Sequence, residues 1–228
     1  MEYFKINDKL SSDFSVYVAK SNLLDSASED VSTVEVSGRN GALHISNNRF
    51  KSFTAELECY ITDLGKWEDF KSYLLSLQDT FKLSESYFNG VYRLARLQTA
   101  LPLNTFNKTQ GTFTLSFNCR PEIYLVSGDT EQTLSSSATI TNPTKFESKP
   151  IFTVVGNGTL TVNGNAIVVS SSESSVTIDC DKMDCYNGDA NCNNDVTLAE
   201  FPTLKSGSNT ISYTGFTSVK LKGRWWHL

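Results

Sequence analysis

The chain has 228 residues, a formal net charge of −5, 39% hydrophobic residues and five cysteines. That length suits one large or two ordinary domains with real cores, and neither half carries the basic footprint of a duplex-nucleic-acid binder. The opening "MEYFKINDKL" has no apolar leader segment, and no apolar run approaches the roughly 20 residues that span a bilayer, so a soluble chain made in the cytosol, with no membrane insertion, is expected.

In chain order, the first strong signal is "FTAELECYI", where Phe53, Ala55, Leu57, Cys59 and Ile61 alternate with polar residues. This is the period of a strand with one buried face. Next, Leu64, Trp67, Phe70, Leu74 and Leu77 recur at spacings of three and four after Thr62-Asp63, which predicts one capped amphipathic helix with Trp67 in its packed stripe. A second strand follows in "GTFTLSFNC", with Phe113, Leu115, Phe117 and Cys119 on its apolar face. Cys59 and Cys119 are therefore expected to be buried thiols rather than reactive ones. Cys180, Cys185 and Cys192 complete an odd set without a CxxC pair, which argues against a disulfide framework and against zinc.

After "PEIYLV" the polar stretch "SGDTEQTLSSSATITNPT" reads as a linker or slow entry into a second domain, placing the boundary near 126 to 138 and the domains at 1–130 and 131–228. Downstream, "PIFTVVG", "TLTV", "AIVVS", "SVTID", "NTISYTG" and "SVKLKGRWW" are short strands separated by turn residues. Asn163-Gly164 marks a two-residue hairpin. Strands without helices predict an antiparallel sandwich, so the fold class is mainly β with a single helix in the first half.

Catalytic parts are scarce. His44 and His227 are the only histidines, and GxSxG, HExxH, P-loop and GxGxxG motifs are absent from the sequence, so no enzyme and no cofactor are expected. "DANCNNDVTLAE" puts Asp189, Asn191, Asn193, Asp195 and Glu200 at positions 1, 3, 5, 7 and 12 of a calcium-loop pattern. Asn194 stands where glycine normally turns, and Pro202 hampers an exiting helix. The competing reading is a polar Asx-rich loop, and the expectation is no useful calcium affinity. At the C-terminus, "KLKGRWWHL" alternates so that Val219, Leu221 and Trp225 share one face and Lys220, Lys222, Arg224 and Trp226 the other. Trp225 is predicted to be core. Trp226 is left for a cation-π contact with Arg224 or for a neighbouring chain.

Taken together, these segments resemble, nearly end to end, the distal tail (Dit) proteins of long-tailed phages that infect Gram-positive bacteria. The likeness rests on the turn Gly38-Arg39-Asn40-Gly41, "YRLARL", the Phe117-x-Cys119-x-Pro121 close, Asn142-Pro143, "KPIFTVVGNGTLTVNG", Phe201-Pro202, Leu204, Gly207, Asn209, Ile211 and Arg224-Trp225. The resemblance implies a β-sandwich-like ring domain followed by a galectin-like β-sandwich, in a homohexameric ring at the virion's tail tip. Implied partners are further copies of itself, the tail tube protein, the tail-associated lysin or fibre protein and, in some relatives, receptor-binding proteins. DNA would meet it only by passing through the lumen. A carbohydrate-binding adhesin, with Trp226 and Arg224 as its exposed platform, is the alternative of a different class.

Overall fold

The computed structural model describes residues 1–98, 101–105 and 107–228. Contacts divide it into two compact units, Met1–Ile123 with Leu228, and Tyr124–His227. The division falls within one continuous strand and ahead of the polar stretch.

In the first unit the elements are β1 (Phe4–Ile6), β2 (Lys9–Leu10), β3 (Val16–Ser21), β4 (Glu29–Val34), β5 (Leu43–Phe50), β6 (Phe53–Ile61), α1 (Trp67–Ser76), β7 (Phe81–Glu85), β8 (Val91–Leu97), β9 (Asn104–Thr105) and β10 (Gly111–Leu125). The main sheet runs β2-β1-β7-β8-β10-β6-β3, with β9 added alongside β10, and β4 and β5 form a separate two-stranded hairpin. The two strands with the clearest alternation pair with each other, Phe113 opposite Cys59, Leu115 opposite Leu57 and Phe117 opposite Ala55. Their apolar faces line one core, onto which α1 folds Trp67, Phe70 and Leu74. Trp67 and Phe113 meet edge to face at 4.9 Å between centroids. The helix starts through a 3-10 turn over Leu64–Lys66, in which the Asp63 carboxylate accepts the Gly65 N–H at 3.0 Å. Leu77 lies just past its end.

The second unit contains α2 (Val126–Asp129), a single turn, then β11 (Gln132–Thr133), β12 (Ser137–Asn142), β13 (Ile151–Val155), β14 (Gly158–Val162), β15 (Asn165–Val169), β16 (Ser175–Asp179), β17 (Asp184–Asn187), β18 (Ala190–Asn191), β19 (Val196–Leu198), β20 (Gly207–Thr214), β21 (Ser218–Lys222) and β22 (Trp226–His227). Two antiparallel sheets, β11-β21-β13-β16-β17-β18 and β12-β20-β14-β15-β19, bury their inner faces in one shared core, Phe152, Val154, Ile178, Val219 and Leu221 from the first against Leu160, Val162, Ile167, Val169 and Ile211 from the second. This is a β-sandwich. Asn163 (φ 49°) and Gly164 (φ 92°) both take the left-handed region, which closes β14–β15 as the two-residue turn expected of Asn-Gly. The stretch read as a linker holds α2, β11 and β12. Its alternation was too polar to announce a strand, yet Ser137–Asn142 pairs along its whole length with β20.

Candidate interaction surfaces

All five cysteines are free and buried. Burial pushes the Cys59 thiol far up, and it carries Cys119 to about 11 and Cys180 to about 12, so none is poised as a nucleophile at neutral pH. No group of three or more His, Cys, Asp or Glu among the described residues is arranged to hold a metal ion. None of the helices there is long and apolar enough to cross a membrane.

The calcium-loop pattern is spread over a hairpin and a 3-10 turn instead of a single liganding loop. Asp189 is exposed at the β17–β18 turn beside Gly188 (φ 58°). Asn191 Oδ1 accepts the Asn193 N–H at 2.9 Å, and Asn193 in turn accepts the Cys185 N–H at 2.7 Å and donates to Asp184 at 2.8 Å. Asp195 accepts from the Ser171 hydroxyl at 2.5 Å, whereas Glu200 accepts from Asn165 at 3.1 Å. These side chains are used as separate local stitches. Titration calorimetry with millimolar calcium is expected to give no saturable heat; a saturable isotherm abolished by Asp189→Ala overturns this reading.

At the C-terminus the structure corrects the sequence reading of Arg224. The strand stops at Lys222, and Arg224 takes a left-handed conformation (φ 50°) that turns its side chain inward. Its guanidinium forks onto Asp179, with Nη1 to Oδ1 at 2.6 Å and Nη2 to Oδ2 at 2.9 Å. Burial works to raise the Asp179 carboxyl, but Arg224 and the backbone N–H groups of Lys182 and Asp181 outweigh it and hold the group below its ordinary value. Trp225 is core, as expected, at 5% exposure. Trp226 has a different partner from the one anticipated: its ring stacks on Phe146 at 4.5 Å and 22°, and its Nε1–H donates to the Glu147 carbonyl at 2.8 Å.

The β4–β5 hairpin has an exposed apolar face. Val34 lies opposite Leu43 and Ser32 opposite Ile45, so Val34, Leu43 and Ile45 share a face, and Val36 is exposed in the turn beyond it. Their exposures are 44%, 37%, 48% and 45%. The opposite face is polar, with Thr33 Oγ1 and His44 Nδ1 3.2 Å apart. At the base, Arg49 contacts Asp30 at 2.6 Å and holds its carboxyl below the usual value, with Lys51 adding a second contact at 3.4 Å. Gly38 (φ 83°) and Gly41 (φ 80°) supply the left-handed positions of the tip. A two-stranded hairpin is marginal by itself in water, and a coherent apolar face on one is a candidate interaction surface.

Neither a family model nor a curated protein sequence matches the chain. Among solved structures, it matches the crystal structure of the phage SPP1 Dit (gp 19.1) protein with a TM-score of 0.72 over 97% of both chains, at 12% sequence identity. The fold is that of a phage distal tail protein. That SPP1 protein is described as a paradigm of the hub adsorption apparatus in phages infecting Gram-positive bacteria. Several residues that carried the sequence resemblance prove to be structural stitches. Asn142 donates to the Phe146 and Leu204 carbonyls at 2.8 and 3.1 Å and accepts the Thr144 N–H at 3.0 Å. Asn209 bonds Lys205 in both directions, and the Pro121 carbonyl accepts from Arg93.

Sequence reasoning missed Arg93 altogether. Arg93 is 1% exposed, and its guanidinium donates to four backbone carbonyls: Leu23 and Asp25 at 2.7 Å each, Arg120 at 3.2 Å, and Pro121. It also lies 4.6 Å from the centre of the Phe53 ring. Burial pulls the guanidinium below its ordinary value, with Cys119, Glu122 and Asp25 acting against that.

Proposed function

We propose that the protein is a structural component of a phage tail tip, a hub whose copies associate head to tail into a hexameric ring joining the tail tube to the tail-associated lysin or fibre protein. The observation that carries this reading is the likeness to the SPP1 Dit protein over 97% of both chains. In this reading residues 1–130 build the ring and residues 131–228 form an outward galectin-like sandwich on which receptor-binding proteins dock. The genome passes through the lumen, and the protein is assembled in the host cytoplasm and leaves it in the virion without entering a membrane. It is not an enzyme and needs no cofactor.

The open apolar face of β4–β5 supports such an assembly, since a cyclic ring requires each copy to offer two different surfaces to its neighbours. Native mass spectrometry of the full chain, alone and with its tail-tube partner, tests the ring. The Ile45→Asp variant, which places a charge in the middle of the hairpin's apolar face, is expected to leave its own fold unchanged and to remain monomeric where the parent assembles. A parent chain that stays monomeric under every condition overturns the ring; an Ile45→Asp variant that assembles normally removes the hairpin from its interface.

A second reading has one observation behind it, the half-buried Phe146–Trp226 stack, an aromatic surface of the kind a carbohydrate-binding adhesin uses. Saturable glycan binding by a monomer, lost in Trp226→Ala, favours that reading over the hub.

A further inference from the structure

The hairpin β17–β18 brings two thiols together. Asn187 lies opposite Ala190 at the turn and Tyr186 opposite Asn191 on the next rung. One position further, just past the end of β18, the Cys192 N–H donates to the Cys185 carbonyl at 2.8 Å while the Cys185 N–H goes to the Asn193 side chain, which sets the two cysteines opposite each other at the mouth of the 3-10 turn. Such residues project to the same side of the sheet with Cα atoms roughly 5.5 Å apart, within the span of a disulfide. Both side chains are buried in the same core, and Cys192 is close enough to act on the ionisation of Cys185. The Cys192 thiol donates to the Ala190 carbonyl at 3.7 Å, and the Asn187 backbone and the Ser171 hydroxyl also reach its sulfur.

We propose that Cys185 and Cys192 form a reversible cross-strand disulfide that locks the β17–β18 hairpin when the protein passes from a reducing cytoplasm into an oxidising exterior. The change of compartment rests on the virion reading given above; the pairing rests on the register alone. Cys180 is the competing partner: Cys185 also acts on its ionisation, but it lies just past β16, two positions beyond Ile178, the residue opposite Cys185, a diagonal of roughly 7–8 Å against the direct opposition of Cys192. Cys59 and Cys119 belong to the other unit and face Phe113 and Phe53 rather than each other.

The chemistry is a two-step exchange with a small-molecule disulfide such as oxidised glutathione. The Cys192 thiolate attacks one glutathione sulfur, forming a mixed disulfide and expelling one glutathione thiolate. The Cys185 thiolate then attacks Cys192 Sγ and expels the second. The two cysteines lose two protons and two electrons, and the glutathione disulfide becomes two thiols. Burial raises the Cys185 thiol to about 11 and also raises that of Cys192, so thiolate is scarce at neutral pH and exchange proceeds through opening of the two-residue edge strand β18.

The test incubates the reduced full chain with millimolar oxidised glutathione, both in buffer and in urea just below the unfolding midpoint, and reads intact mass and a peptide map. Expected are the loss of two hydrogens, a link between Cys185 and Cys192, and a Tm raised by about 2–5 °C. Cys180→Ser retains the link, whereas Cys185→Ser and Cys192→Ser each lose it and accumulate a glutathione adduct on the remaining thiol. A chain that keeps all its hydrogens in both conditions, a link through Cys180, or a wild-type chain that stops at the glutathione adduct overturns the proposal. Mass is independent of association, so a chain that forms no ring can still carry the link, and a ring-former can lack it.

Discussion

Replacing Arg93 with alanine is expected to remove most of the stability of the N-terminal unit. The guanidinium is fully enclosed and donates to carbonyls from two separate parts of the chain, Leu23 and Asp25 after β3, and Arg120 and Pro121 within β10. Truncation strands these acceptors without water to replace the donor, at about 1–3 kcal/mol for each that stays unsatisfied, and it empties a volume over the Phe53 ring. A loss of about 4 kcal/mol or more is a large part of the roughly 5–15 kcal/mol that holds a domain together. Arg93→Lys is expected to recover little, because a single ammonium cannot span four acceptors set around a planar fork. Urea unfolding followed by hydrogen exchange at amides of β8 and β10 checks both variants. A loss below about 1 kcal/mol for Arg93→Ala would mean that these carbonyls rehydrate freely.

Trp225→Ala carries the largest expected loss in the C-terminal unit, about 3–5 kcal/mol for an emptied aromatic site. The indole fits between two glycines: a Cβ on Gly223 would fall 2.2 Å from its ring, and one on Gly128 would fall 2.4 Å from its backbone nitrogen. The Trp225 carbonyl also accepts the Leu125 N–H at 2.8 Å, so the residue ties the end of the unit to its beginning. Trp226→Ala removes one stacked ring contact and one hydrogen bond at the edge, for about 1–2 kcal/mol. Hydrogen exchange in β13 and β21 of the full chain separates the two. Equal losses would show that Phe146 and Trp226 anchor the sandwich as deeply as its core does.

Much of the fold was legible because alternation reports burial directly. β6 and the first nine residues of β10 were readable residue by residue, though β10 runs on through "RPEIYL" to Leu125, and the Asn163-Gly164 turn was fixed by the backbone angles those two residues tolerate. Arg93 was not, since an arginine inside "YRLARL" reads as an outward residue and nothing local records that carbonyls from distant segments converge on it. Arg224 failed for another reason. Parity carries along a strand only while the strand continues, and the break at Gly223-Arg224 placed Trp225 in the core by a turn instead of by alternation. The Asx-rich segment forms strands β18 and β19 around a 3-10 turn, where polar side chains satisfy backbone groups in place of ladder partners. The β4–β5 surface left a weak sequence signal, because Val34, Val36, Leu43 and Ile45 alternate as any half-buried strand does and only the three-dimensional arrangement leaves them uncovered.

The Asn163-Gly164 turn also bears on chemical ageing. Asn-Gly is the dipeptide most prone to deamidation, because the glycine nitrogen meets little hindrance in attacking the asparagine side-chain carbonyl and releasing ammonia. The sequence contains five such pairs, at Asn40, Asn89, Asn157, Asn163 and Asn187. Asn163 has its amide held at both ends, Nδ2 donating to Asn209 at 2.8 Å and Oδ1 accepting the Thr210 N–H at 3.0 Å. Asn157 accepts the Ser171 N–H at 2.8 Å, and Asn187 donates to Glu173 at the same distance. The hydrogen bonds that set turns in the sandwich thus also keep three reactive amides from swinging onto the following nitrogen, so the same contacts that fix the turns slow their chemical decay.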